Sequence, residues 1–333
     1  MSHNIFRILH DFAKWYNKNM HILQSSAWEE FEKLEKNQVF RKETTKYTYL
    51  ATKNSTPLGN YLYLPYGPHL ESRAALSSAL SDLKKLATAE KAFFIRIEPT
   101  IVFSKAEIQK VAQKIGLKAK KSEHINPEHT WCLDLTVSDD DLYHSIPKNK
   151  IRAWKNCQNK GISIKKTKDP EKIQYLTDLL VEISKKDHFI PHREERLRKQ
   201  MEAGFATLYY AEILDEGEKK IAAANLVFDD GETRYYAHAA SNYKYQKYEV
   251  GTIVLMEAIM DARKNGAKTF DFWGITTSTD KKHPWYGFTQ YKKSFGGYQV
   301  DYAGDYDIIL NRPKYAFYSL LRKANRIKRR IKH

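Results

Sequence analysis

Two stretches of this chain, LKKLATAEKAFFIRIEP at 83–99 and IMDARKNGAKTFDFWGI at 259–275, run in the same order. Each reads as an amphipathic helix, a short turn with alanine, a strand, and then a proline or glycine break. A helix that hands the chain to an apolar strand has to cover a sheet, so each stretch asks for an α/β layer around it. Any such unit shares this outline, but two of them raise the expectation of two similar α/β domains. The 333 residues are enough for two cores of ordinary size.

The intervening sequence fits that expectation. KYTYLA and NYLYLP flank a turn near 54–59 and suggest a hairpin. Leu76, Leu80, Leu83 and Leu86 set a helix near 71–89, FFIRI at 93–97 a buried strand, and 104–115 a helix stopped by Gly116. TWCLDL at 130–135 reads as the next strand. Ser145 and Pro147 suit the start of a helix that ends before Gly161. Further helices fall near 170–186 and 251–264, with strands near 206–214, 221–228 and 233–239.

Several site types have no sequence support. There is no GxxxxGK[ST] loop, no GxGxxG opening a helix, no HExxH and no GxSxG. His188 and His192 are four apart, but Pro191 between them breaks a helix, which argues against a zinc pair; no metal is expected. Cys132 and Cys157 have neither disulfide-framework nor metal-ligand spacing. With no apolar run long enough to span a bilayer and no secretory h-region in the opening MSHNIFRILHDFAKWYNKNM, the expected location is cytoplasmic, with the inner membrane surface as a second place. The net charge of +16 calls for a polyanionic partner: nucleic acid, anionic lipid or a phosphorylated substrate.

Four segments hold residues suited to chemistry. HREERLRK at 192–199 is basic beside the aromatic HFIP, and by itself reads first as a solvated helix face. RYYAHAASNYKYQKYEVG at 234–251 holds five tyrosines, whose rings stack on bases and whose hydroxyls orient polar ligands. KTFDFWGITT and GFTQYKKSFGG follow, the second combining aromatic rings, cations and a double glycine; an exposed basic turn between strands is its bland reading.

Taken in order, LQSSAWEEF, LPYGP, RIEP, TWCLDL, PKNKIRAWKNCQNKGISI, DFWGI, GFTQYKKSFGG and GDYDIIL resemble the Fem-type peptidoglycan aminoacyltransferases, over most of the chain. The resemblance implies two tandem acetyltransferase-like (GNAT-like) α/β domains, the first completed by the C-terminal segment. On that basis 1–137 with 304–333 is expected to bind the acceptor, and 138–303 to contribute the site for the aminoacyl-tRNA end. No room is left for the long helical hairpin of some members, so the short, single-addition type is implied. It also implies transfer of an amino acid from aminoacyl-tRNA, as co-substrate and without a cofactor, to the stem-peptide amine of UDP-MurNAc-pentapeptide or lipid II.

Carried over residue by residue, the aromatic-Lys-x-x-Phe motif falls on Tyr291, Lys292 and Phe295, with Tyr291 where phenylalanine is usual. Lys292 is the implied catalytic cation beside the carbonyl, and Tyr291 and Phe295 would position the terminal adenosine, with Gly296 and Gly297 allowing close backbone approach. The family's acidic residue falls on Glu98, a candidate for attracting the incoming ammonium or taking its proton, and a substrate-contacting position on Phe93. The phosphate-holding arginine falls on Arg193, with Arg196 close enough to compete. The second-domain tyrosine falls on Tyr243, with Tyr235 or Tyr236 as alternatives, and Lys33, Lys36 and Arg41 compete for the N-terminal phosphate lysine.

Three rival readings remain. An acyl-CoA-dependent transferase would want a Gln/Arg-x-x-Gly-x-Gly/Ala loop, which QKYEVGTIV does not supply. A plain RNA-binding protein lacks any RNP or KH-type signature. A tRNA-dependent transferase acting on a protein N-terminus is opposed only by the extended motif series. At the C-terminus, 314–333 holds eight Lys or Arg and no acid. Phe317, Leu320, Leu321, Ala324, Ile327 and Ile331 form one helical face, and Arg322, Lys323, Arg326, Arg329 and Arg330 lie largely on the other. The expectation is that the apolar face docks on the first domain while the cations meet tRNA phosphates, ahead of an anionic membrane surface.

Overall fold

A computed structural model describes residues 19–187 and 189–331. The opening stretch, the last two residues and His188, with its suggested zinc pairing, lie outside the described residues. Among the rest, two compact units separate: a continuous one, 129–300, and a split one, 19–128 with 301–331. In chain order the strands of the split unit are β1 (Val39–Glu43), β2 (Tyr47–Thr56), β3 (Gly59–Leu64), β4 (His69–Leu70), β5 (Ala92–Ile97) and β6 (Lys118–Lys121). Those of the continuous unit are β7 (His129–Asp134), β8 (Ile162–Thr167), β9 (Ala206–Asp215), β10 (Glu218–Asp229), β11 (Thr233–Ser241), β12 (Thr269–Gly274) and β13 (Tyr298–Asp301). The chain then returns to the split unit with β14 (Tyr306–Ile309).

The split unit's sheet runs β1-β2-β3-β5-β14-β6, with β4 on β2. β14 lies antiparallel between β5 and β6, so the C-terminal segment completes this sheet. Its register is pinned by a buried pair. Arg96 on β5 donates to both carboxylate oxygens of Asp307, at 2.7 and 2.8 Å, and Tyr315 donates to the same carboxylate at 2.7 Å. Above the sheet the Ala75–Ala89 helix buries Leu76, Ala79, Leu80, Leu83 and Ala87, the helical spacing read from the sequence. Replacing one such leucine by alanine costs about 2–5 kcal/mol.

The continuous unit's sheet runs β13-β7-β12-β11-β10-β9-β8, and its main helix is Val250–Lys264. In each unit a parallel neighbour pair, β3–β5 or β11–β12, brackets the main helix. The two look-alike stretches are therefore the same helix-then-strand step in two α/β units.

Some local expectations change. TWCLDL, assigned by position to the first domain, pairs as β7 with β12, so the units divide at 128/129 rather than at 137/138, and after 300 rather than 303. Ser145 does not start a helix: it ends the Asp139–Ser145 helix, its hydroxyl donating to the Leu142 carbonyl, and Pro147 caps Lys148–Lys155. The cationic segment after Trp285 is no turn; it is the helix Tyr286–Lys293. Among the described residues no helix is long and apolar enough to cross a membrane.

Candidate active site

The site grows out of the end of β12. There the buried Asp271 carboxylate accepts from the Trp273 backbone N–H at 2.7 Å and from the Thr130 hydroxyl. This turns Trp273 into the left-handed region, φ 64°, and the pairing with β7 shifts between Asp271 and Gly274. A non-glycine residue held there costs on the order of 1–3 kcal/mol, which the surrounding hydrogen bonds must offset. The consequence is that the Gly274 carbonyl accepts the ammonium of Lys292 at 2.7 Å. Burial pushes Lys292 down to about 8, with the Asp271 carboxylate opposing the shift. The helix bearing it is tied back to the same loop, since the Thr289 hydroxyl accepts the Thr276 N–H at 3.0 Å.

The strands beside this lysine diverge. β11 and β12 pair only through Thr233–Tyr235 and Thr269–Asp271, although β11 continues to Ser241 and β12 to Gly274. In the split unit the matching parallel pair stays registered to its end, Leu64 opposite Ile97. Only the continuous unit therefore has a parallel pair that opens, and Lys292 is anchored at the opening.

The other expected residues of this unit fall into two groups. Phe295 is fully buried, its ring 5.6 Å from Phe272 and 5.3 Å from Tyr291. It has no face to offer a ligand in this conformation and acts as a core residue under the helix. Tyr291 is half-buried against it, its hydroxyl near Thr252 and Gly251; burial raises it to about 12. The double glycine approaches its own chain: a Cβ on Gly296 would collide with the Ser145 carbonyl and one on Gly297 with that of Cys132. Both carry positive φ, 79° and 95°, and the Trp131 indole donates to the Gly296 carbonyl at 2.6 Å. Arg193 is exposed just before the Glu194–Glu202 helix. Arg196 is half-buried, and its charge helps lower both His192 and His238. Tyr243 is exposed after β11 with the Lys186 ammonium 3.8 Å from its ring centre, whereas Tyr235 is buried and donates to Asp230 at 2.9 Å.

Three residues escaped the sequence reading. Lys150, from PKNKIRAW, lies buried with its ammonium 4.1 Å from the Phe295 ring centre and 5.4 Å from that of Tyr291. Nothing in a helix rich in lysines distinguishes it beforehand. Trp285 and Phe288 are exposed, Phe288 by 65%. At helical spacing they share a face with Lys292, a signal that was available in WYGFTQYKK.

In the split unit Glu98 is 3% exposed, and its two oxygens already accept from Tyr63 Oη (2.7 Å), Asn126 Nδ2 (2.8 Å) and the Tyr66 N–H (3.1 Å). Burial raises its carboxyl, with these hydrogen bonds opposing. It holds LPYGP in place, a loop also bound through Gln24 of LQSSAW, which donates to the Pro65 carbonyl at 2.8 Å. Burial, then the Glu98 charge, pushes Asp305 up to about 8. Phe93 is buried against Phe94 and Tyr318 and offers no substrate contact in this conformation. Among the competing N-terminal cations, Lys33 pairs with Glu29 and Glu30, and Arg41 binds Glu43 and the Gln24 carbonyl; Lys36 is exposed.

Known proteins resemble this chain in sequence and in fold. The FemAB family model covers residues 9–123 and 191–323. Lipid II:glycine glycyltransferases of Staphylococcus haemolyticus strain JCSC1435 and Staphylococcus aureus are 23% and 22% identical to the chain, each alignment covering 73% of it and 75% of the relative. The crystal structure of FemX superposes with a TM-score of 0.78 at 19% identity, over 92% of this chain and 97% of that one. The C-terminal domain of a putative lysylphosphatidylglycerol synthetase from Agrobacterium fabrum follows at 0.56 and 12% identity, over 89% and 91%. These superpositions speak for the fold, and the family match spans most of the sequence: the chain belongs to the FemAB family.

Proposed function

We propose that this protein is an aminoacyltransferase that joins an amino acid from aminoacyl-tRNA to the stem-peptide amine of a peptidoglycan precursor, lipid II being favoured over the soluble nucleotide form by the two staphylococcal relatives. The observation that carries the reading is Lys292, a half-buried cation fixed where β11 and β12 part. The amine attacks the ester carbonyl, forming a C–N bond and an oxyanion. Collapse then breaks the bond to the ribose oxygen, which leaves as the hydroxyl, and the amine nitrogen gives up a proton. The reaction is downhill because the ester is already activated.

Lys292 spends one of its three N–H donors on Gly274, leaving others for the oxyanion. A preorganised donor of this kind is worth about 10²–10³ in rate. Trp285 and Phe288, on its face of the helix, supply rings on which unpaired bases of the tRNA end stack. Arg193, exposed, suits the diphosphate of the acceptor, since its fork binds such a group bidentately. Glu98, with its oxygens engaged, shapes the LPYGP loop rather than carrying a proton. No cofactor enters the scheme.

The test is mass spectrometry on lipid II and on UDP-MurNAc-pentapeptide, each with a pool of charged tRNAs. A single-residue mass gain that needs tRNA, and that drops about 10²–10³-fold in rate with Lys292→Ala, is expected. The acceptor that gains mass identifies the substrate. No gain on either acceptor would sink the reading.

A further inference from the structure

Among the described side chains of the Arg312–Ile331 helix, one apolar face is docked within the fold and another is exposed. Tyr315 and Tyr318 dock it, their rings 5.4 and 5.1 Å from Phe94, with Tyr318 also 5.6 Å from Phe93. The face expected to dock from the sequence is turned away: Phe317 is 52% exposed, Leu320 64% and Leu321 42%. Ala324 continues the row, and the side chains beyond it lie outside the described residues. The helix carries no acid. Lys314 and Lys323 are exposed on it, while Arg322 is turned toward Glu123, 4.0 Å away.

We infer that this helix docks the protein on an anionic bilayer, with Phe317, Leu320 and Leu321 entering the headgroup–acyl boundary and the flanking cations meeting lipid phosphates. An exposed row of one phenylalanine and two leucines among lysines and arginines is the pattern of a helix lying in a membrane interface. Nucleic-acid phosphates would use the cations but have no use for the apolar row. A second copy of the chain would bring two helices of the same strong charge together, at a Coulombic cost. The docking stands on the helix alone; its link to a lipid-borne acceptor rests on the function proposed above.

The experiment is co-sedimentation of the full chain with phosphatidylcholine vesicles, with and without phosphatidylglycerol, in the absence of any peptidoglycan precursor. Binding is expected to the anionic vesicles only, to weaken with salt, and to fall about tenfold or more in the triple variant Phe317→Ser, Leu320→Ser, Leu321→Ser. Its melting temperature should stay unchanged because the three side chains are exposed. Lys314→Glu with Lys323→Glu should lose binding as well. Vesicle binding by the triple variant equal to the native chain's overturns the proposal, as does equal binding to neutral vesicles or none to either. Loss of tRNA binding in the lysine variant with vesicle binding intact would make the helix a nucleic-acid surface. A native dimer that the triple variant dissolves would make it a self-association face. Failure of the transferase assay would leave the vesicle result standing, so the two ideas fall separately.

Discussion

Lys292 is worth most as a cation, and burial has made that charge marginal near neutral pH. Held near 8 instead of the ordinary 10.5, it loses its proton as pH rises through about 8, and the oxyanion loses its partner. A basic limb near pH 8 is therefore expected in kcat. It should move upward in Lys292→Arg, whose guanidinium does not titrate there; a limb that stays put would assign the titration elsewhere. Stability runs the other way, since the buried charge costs the folded state below about 8 and that cost is relieved between about 8 and 10.5. Two neighbouring rings separate packing from binding. Phe295→Ala should lower stability by about 3–5 kcal/mol in denaturant titration. Phe288→Ala should leave the unfolding midpoint alone and weaken binding of a tRNA-end mimic by about 1–3 kcal/mol in fluorescence titration. An aromatic three or four positions from a catalytic lysine is visible in sequence; which of several such rings faces water is not, because burial is decided by β12 and the Lys148–Lys155 helix, both far off in the chain.

At the scale of elements, the short strand β14 shows how little a local motif reveals. GDYDIIL has no obvious meaning by itself, yet it supplies Asp307 to Arg96 and, in Asp305, a buried carboxyl raised first by burial and then by the Glu98 charge. A carboxyl with a raised folded value favours the folded state while protonated. Its contribution is present at acid pH and is lost as pH rises from about 4 to about 8. In Asp305→Asn the amide oxygen can still accept the Ile125 N–H, now at 2.8 Å to Asp305, so melting temperature should become flatter across that window and higher than native at pH 8. A variant with the native slope would show that Asp305 is not the titrating group. The Tyr286–Lys293 helix is only weakly written in the sequence, for a different reason. It has no side-chain cap, and glycine, threonine and aromatic residues give it poor intrinsic propensity. What holds it is tertiary: Thr289 bonded to Thr276, and Phe295 beneath it.

At the scale of the molecule, the two sheets are unequal in how the chain builds them. The continuous unit has every strand of its sheet within 129–301, whereas residues 19–128 lack β14, the strand between β5 and β6. A fragment of 129–301 is expected to unfold cooperatively by circular dichroism. A fragment of 19–128 should not, since its sheet is interrupted and Arg96 is left without Asp307; removing one partner of such a buried pair costs about 3–5 kcal/mol. Cooperative unfolding of the shorter fragment would mean that β14 is dispensable to that core.

The amino-acid sequence by itself determined the two helix-then-strand steps, the α/β class, the family and the place of Lys292 in its motif. These rest on periodicity and on the order of short segments, which are properties of neighbours along the chain. Tertiary structure alone decided that TWCLDL joins the second sheet, that Glu98 and Phe295 are buried, that the double glycine clears the chain's own carbonyls, and that Phe317, Leu320 and Leu321 point away from the core. Each of these depends on pairing between residues far apart in sequence. Strand register and burial are set there, by which partner's hydrogen bonds and side chains fill the space, and no local pattern records that choice.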